Sequence, residues 1–197
     1  MKTKKILIIL ILVACISVFP ARAQTVKTQE EAEKIFKDVR SRLAKLGISL
    51  DREILLKLRT VDEIHVQHNS TGGRAVNIGG YYQPFNPETI WIIQDKSREY
   101  TYGVLAHEFG HAWQSSNAPL QDRMIKEGFA EWCEYQILKS LGASHCLKQM
   151  ENNPDPDYGG GLRLFLAVEK KEGLKGLLEF ARTQQNPPDW FKDPLKK

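Results

Sequence analysis

Val104 to Trp113 reads VLAHEFGHAW, and within it His107 and His111 stand four positions apart with Glu108 beside the first. At 3.6 residues per turn, a step of four returns to nearly the same helix face, so both imidazoles can reach one metal ion. Glu108 falls too far round the helix to join the same ligand set easily. A carboxylate there can instead take a proton from water at the metal, the work of a general base. The bland alternative is a chance match on an amphipathic helix, and the rest of the chain has to outweigh it.

A catalytic zinc takes three protein ligands and keeps a fourth position open, so one more donor is needed. The metzincin extension of H-E-x-x-H would put Gly at 114 and His at 117; the chain has Gln114 and Asn117, which rejects that class. Sixteen residues beyond His111 comes Glu127, in KEGFAEW, followed four residues later by Glu131. On a second helix these carboxylates share a face, one to bind metal and one to accept a hydrogen bond from a ligand histidine.

HEFGHAW followed by EGFAEW resembles the gluzincin clan of zinc metallopeptidases, and LAHEFGHAW with KEGFAEWCEYQIL is most similar, within that clan, to the DA1-like peptidase domain. The match is specific from Tyr102 to Gly142 and diffuse elsewhere. It implies an α+β, zincin-like metallopeptidase fold, in which a small mixed sheet precedes an active-site helix and a glutamate helix. It further implies His107, His111 and Glu127 as Zn2+ ligands and Glu108 as general base, with Glu131 standing where many gluzincins have an outer aspartate. Gluzincins add a Tyr or His oxyanion donor from outside the two metal helices, and Tyr158, His145 and Arg163 are the candidates, in that order. In that fold the edge strand pairs with an extended substrate. Ala75 to Tyr82, where Gly79 and Gly80 let another backbone approach, is the candidate strand; a bulge or hairpin without a ligand is the alternative. No ubiquitin-binding or LIM segment of the kind that accompanies this domain in plant proteins is read here, so the resemblance carries no ubiquitin-linked role.

At the start of the chain, three lysines in Met1 to Lys5 precede an apolar run from Ile6 to Phe19 and then Ala21-Arg22-Ala23. This is the pattern of a secretory signal peptide over residues 1–23, and its 14-residue apolar run is short for a membrane span. Leu12 to Cys15 also reads as a lipobox, which would leave a lipid anchor on Cys15. The residues after Cys15 stay apolar through Phe19, which favours soluble export, to the periplasm or outside the cell, over a lipoprotein.

The formal charge of +4 belongs to the leader. Once Lys2, Lys4, Lys5 and Arg22 are removed, residues 24–197 carry 24 basic and 24 acidic groups, which argues against nucleic acid or an anionic membrane as partner. Those residues suit one domain able to bury its own core. Cys133 and Cys146 meet oxidising conditions after export, so they either pair or stand as buried thiols.

The periodicity predicts a helix from Glu30 to Leu46 ended by Gly47, with Gln24 to Gln29 a loose leader. Ile54, Leu56 and Leu58 alternate as in a strand, a short helix being the competitor, and Thr89 to Gln94 reads as another strand. His65 and His68 would face opposite sides of an extended segment and are not assigned a metal. The active helix is expected over Glu99 to Ser115, with Gly110 leaving room near the metal, and the glutamate helix over Gln121 to Leu141. Trp113 and Trp132 read as core. NPDPDYGGG is a loop, helices follow at Leu162 to Lys171 and Leu174 to Thr183, and the tail is a poorly ordered end, docked at most by Trp190 and Phe191.

The reading that follows is an exported zinc metallopeptidase acting on protein or peptide substrates. Its rival is a non-catalytic exported protein in which the zinc domain holds a peptide or cell-wall partner. An aminopeptidase would need an acidic residue upstream to grip a free amine, and the GYYQ segment at Gly80 to Gln83 has none, so an endopeptidase is favoured.

Overall fold

The computed structural model describes residues 25–64, 79–118 and 120–195. The signal segment 1–23 with Cys15, His65 and His68, and residues 75–78 of the expected substrate strand lie outside the described residues. Thr28 opens the first helix, α1 (Gln29–Ala44), with a capping box: its hydroxyl accepts from Glu31 N at 3.2 Å, and the Glu31 carboxylate accepts from Thr28 N at 3.1 Å. The expected stripe of Ala32, Ile35, Phe36, Val39 and Leu43 is buried. Gly47, at φ 81, supplies the left-handed turn that ends it.

Three strands make a small mixed sheet in the order β2 (Leu55–Arg59), β4 (Thr89–Ile93), β3 (Gly80–Gln83). β4 runs parallel to β2, with Leu56 opposite Ile90, and antiparallel to β3, with Gly80 opposite Ile92. A central strand is covered on both faces, which is why Thr89, Ile90, Ile92 and Ile93 are all buried. Leu56 and Leu58 point inward as their alternation predicts. The leader is not loose: β1 (Thr25–Val26) pairs with β5 (Lys96–Ser97), and Val26 is buried.

Ser97 caps α2 (Arg98–Asn117) and Asp122 caps α3 (Arg123–Ser140), each side chain accepting a first-turn N–H. Trp113 and Trp132 lie in the core. A Cβ at Gly110 would sit 3.1 Å from Ala130 Cα and 3.3 Å from Cys133 Sγ. Gly110 therefore makes room for the neighbouring helix, not for the metal as its position in the motif suggests. Cys133 and Cys146 are both free thiols, Cys133 fully buried beneath that contact.

A further helix, α4 (Ser144–Glu151), follows, then a π-helical turn at Pro156–Gly160 that runs into α5 (Gly161–Thr183). The expected break between two helices is a kink within α5 at Gly173, at φ 70. Gly161 and Gly128 let α5 and α3 meet backbone to backbone, since a Cβ on Gly161 would lie 2.6 Å from Gly128 Cα. The tail is anchored chiefly by a buried fork in which Arg163 Nε and Nη2 each donate to Asp193 at 2.7 Å. Arg163 also donates to the Glu151 and Asn153 carbonyls, which commits it to structure and away from any oxyanion. No helix among the described residues is long and apolar enough to cross a membrane.

Candidate metal centre

α2 carries His107 and His111 on the face turned to α3, and the first half of α3 carries Glu127 opposite them. The two Nε2 atoms are 3.1 Å apart, and Glu127 Oε2 lies 3.4 Å from that of His107 and 3.3 Å from that of His111. Zinc with Zn–N and Zn–O bonds of about 2.0–2.1 Å in tetrahedral geometry separates its ligand atoms by about 3.3–3.4 Å. The three donors thus form one face of such a tetrahedron, and their two-imidazole, one-carboxylate chemistry fits a catalytic zinc with an open fourth position.

The proton side of each imidazole is also provided for. Glu131 Oε1 is 3.3 Å from His107 Nδ1, so the extra methylene of Glu still brings its carboxylate to the ring. Glu134, which the sequence reading did not single out, lies 3.7 Å from the same nitrogen. Glu127, Glu131 and Glu134 stand at i, i+4 and i+7, one stripe of α3, and Gly103 on α2 leaves the space Glu134 occupies: a Cβ there would be 2.6 Å from Glu134 Oε1. His107 with Glu131 and Glu134 is itself close enough to hold an ion. A neutral imidazole ligating through Nε2 keeps its proton on Nδ1, however, which suits hydrogen-bond acceptors on that side. On His111, Nδ1 faces Gln114 Oε1 at 3.4 Å. Gln114 donates to Gln121, and Gln121 donates to the Ala181 and Gln184 carbonyls, tying the second histidine to the end of α5. The residue that ruled out a metzincin here contacts the second candidate donor.

Without metal these groups hold one another as charges. Burial opposes a charged His107, but hydrogen bonds to Glu127 and Glu131 and the charge of Glu108 outweigh it, holding its pKa well above the ordinary histidine range. Burial likewise opposes an ionised Glu127, yet the two histidines hold its carboxyl well below the usual range. Glu134 moves the other way, raised by burial and by the nearby Glu131 and Glu108.

A cleft of about 670 Å³ opens over the donors. Glu108 is buried yet lines it, as do Tyr100, Gly79, Arg123 and Tyr158. The Tyr158 ring stacks on that of His107, centroids 6.1 Å apart at 17°. It is set there by the π-helical turn, whose start Asp155 fixes by accepting from Asp157 N and Tyr158 N. Burial, then the charge of Glu127, raises the Tyr158 pKa, so the phenol stays protonated at neutral pH and can donate. His145 is on α4 and is not among the residues lining this cleft. β3 forms its upper wall and is the terminal strand of the described sheet. Comparison with protein-family models, with curated proteins and with solved structures gives no match to this chain.

Proposed function

We propose that this chain is an exported, zinc-dependent endopeptidase of the gluzincin type with a zincin-like fold, its zinc held by His107, His111 and Glu127. The observation that carries the reading is the donor triangle with sides of 3.1, 3.3 and 3.4 Å, spanning two helices and matching tetrahedral zinc. Zinc, when bound, supplies a Lewis acid that polarises a carbonyl and makes water nucleophilic at neutral pH.

The chain's own groups do the rest. Glu108 accepts the proton of the attacking water and delivers it to the nitrogen of the leaving amine. Tyr158 donates its hydroxyl hydrogen toward the developing oxyanion. Glu131 and Gln114 hold the ligand rings by their Nδ1 atoms. An extended peptide lies along β3, its backbone bonding to the strand and its side chains projecting into the cleft. A carboxylate kept buried beside the ligands, with no ion pair of its own among the described residues, favours catalysis over passive peptide binding.

The test is zinc stoichiometry on purified residues 24–197, with cleavage of an unstructured protein such as casein, for wild type and Glu108→Gln. One zinc per chain in both, with hydrolysis lowered about 100-fold or more in the variant, is the expected result. A fully active variant removes Glu108 from the chemistry, and a chain that takes up no zinc refutes the reading.

A further inference from the structure

Next to the metal cleft is a second hollow of about 380 Å³, and it is the more apolar of the two. Tyr82, Pro84, Ala118 and Leu120 supply its walls, and it shares His111, Tyr82 and Lys126 with the metal cleft. Leu120 is 95% exposed, a large apolar side chain with nothing among the described residues folded over it. Tyr82 is a fixed wall: its hydroxyl donates to Glu88 at 2.8 Å, and Glu88 pairs with Arg52 at 2.9 Å. A pocket continuous with a metal ligand and walled by pinned and exposed apolar groups fits a side chain of whatever is held at the metal.

Resting on the peptidase reading, the geometry points to this hollow as the subsite for an apolar side chain, aromatic or branched aliphatic, on the residue at the amino side of the scissile bond. Two arguments assign the side. Along α2 and its C-cap the order is Tyr100, Val104, Glu108, His111, Ser115, Ala118, and the hollow is lined from His111 onward without Glu108. The leaving amine takes its proton from Glu108, so the carboxyl half of the substrate extends toward Tyr100 and Gly79 and the amino half toward Tyr82 and Leu120.

Strand direction agrees independently. A Cβ at Gly80 would meet Val104, whereas Tyr82 and Pro84 border the hollow with Ser115 and Ala118, so β3 runs in the same sense as α2. A substrate paired antiparallel to β3, the slightly more stable pairing, enters with its amino end at Tyr82 and Pro84. Toward Tyr100 and Val104 the cleft also carries the carboxylates of Glu108 and Glu134, which the hollow lacks.

The test uses the whole mature chain, with and without zinc, and two product-like ligands, N-acetyl-Ala-Phe and N-acetyl-Ala-Gly with free carboxylates, measured by calorimetry. The phenylalanyl ligand should bind about tenfold more tightly than the glycyl one, since a partly covered aromatic side chain contributes about that factor. Leu120→Ser, which removes an exposed wall, and Ala118→Trp, which fills the hollow, should each bring the ratio close to one. In parallel, cleavage of a peptide library should fall after Phe, Tyr or Leu. A wild-type ratio within about twofold, a ratio unmoved by both variants, or selection confined to the carboxyl side overturns the subsite. The tenfold ratio without any hydrolysis supports the hollow and counts against the peptidase reading; hydrolysis without the ratio does the reverse.

Discussion

Gly110→Ala tests whether the separation of two helices sets metal affinity. The added Cβ would lie 3.1 Å from Ala130 Cα and 3.3 Å from Cys133 Sγ, where carbon atoms prefer about 3.5–4.0 Å. Ala130 is backbone and cannot swing aside, so α2 and α3 must part by about half an ångström. The His107–His111 edge lies within α2 and is spared, but the 3.4 and 3.3 Å edges to Glu127 cross between the helices. They would open to about 3.8 Å, against the 3.3–3.4 Å that zinc requires and a tolerance of about 0.2 Å in each bond.

Glu127 can re-aim only partly, so zinc affinity should fall about 10–100-fold, the range seen when an outer partner of a ligand is lost. The metal-free fold should lose less: about 1 kcal/mol of helix propensity offsets part of about 1–3 kcal/mol of overpacking, leaving about 0–2 kcal/mol and a melting temperature lower by about 0–8 °C. Affinity is read by competition with a chromophoric chelator, and stability by melting in chelator. Adding Cys133→Ala relieves only the looser of the two contacts, so it should restore affinity in part. Wild-type affinity in Gly110→Ala would refute the claim that this contact spaces the ligands.

Glu127→Ala should abolish stoichiometric zinc while leaving the helical signal intact; unchanged zinc content would take Glu127 out of the ligand set. Tyr158→Phe should retain zinc and lower kcat about 10- to 1000-fold with little change in KM, because only the oxyanion loses a donor; a change in KM alone would make Tyr158 a binding residue. The pH dependence follows from the raised His107 and lowered Glu127 pKa values. In the metal-free protein, His107 contributes stability that is complete below its unfolded pKa of about 6.5 and is lost as pH rises through its folded value. The Glu127 contribution is present above about 4.5 and is lost as pH falls through its folded value. Zinc must displace the His107 proton, so the gap between melting temperatures in zinc and in chelator should widen from pH 5 to pH 8; a flat gap would show that the proton and the metal do not compete.

His107, Glu108 and His111 could be found without a structure because their geometry is internal to one helix: spacing alone puts them on one side of it. Glu127 and Glu131 required only that a second helix follow. What escaped has its partner elsewhere in the chain. Glu134 means little until Gly103 is seen making space for it, and Gln114 registers only as a missing glycine until Gln121 links it to α5. β1 is two residues long and exists through β5, seventy positions away. α4 has no side-chain cap at its start and buries no residue fully, so no start signal announced it.

The same distinction governs the site's precision. Gly128 follows Glu127 directly, and Gly161 comes three residues after Tyr158; their backbones touch with no side chain between them. One contact therefore fixes the carboxylate donor on α3 and the phenol on the π-helical turn to a single point. Gly110 fixes α3 in turn to the histidines. The identity of the candidate donors resides in residues that spacing reveals, whereas their placement resides in three glycines whose purpose depends on which backbone lies opposite. Substituting those glycines should degrade metal binding and oxyanion support while every functional side chain remains in the chain.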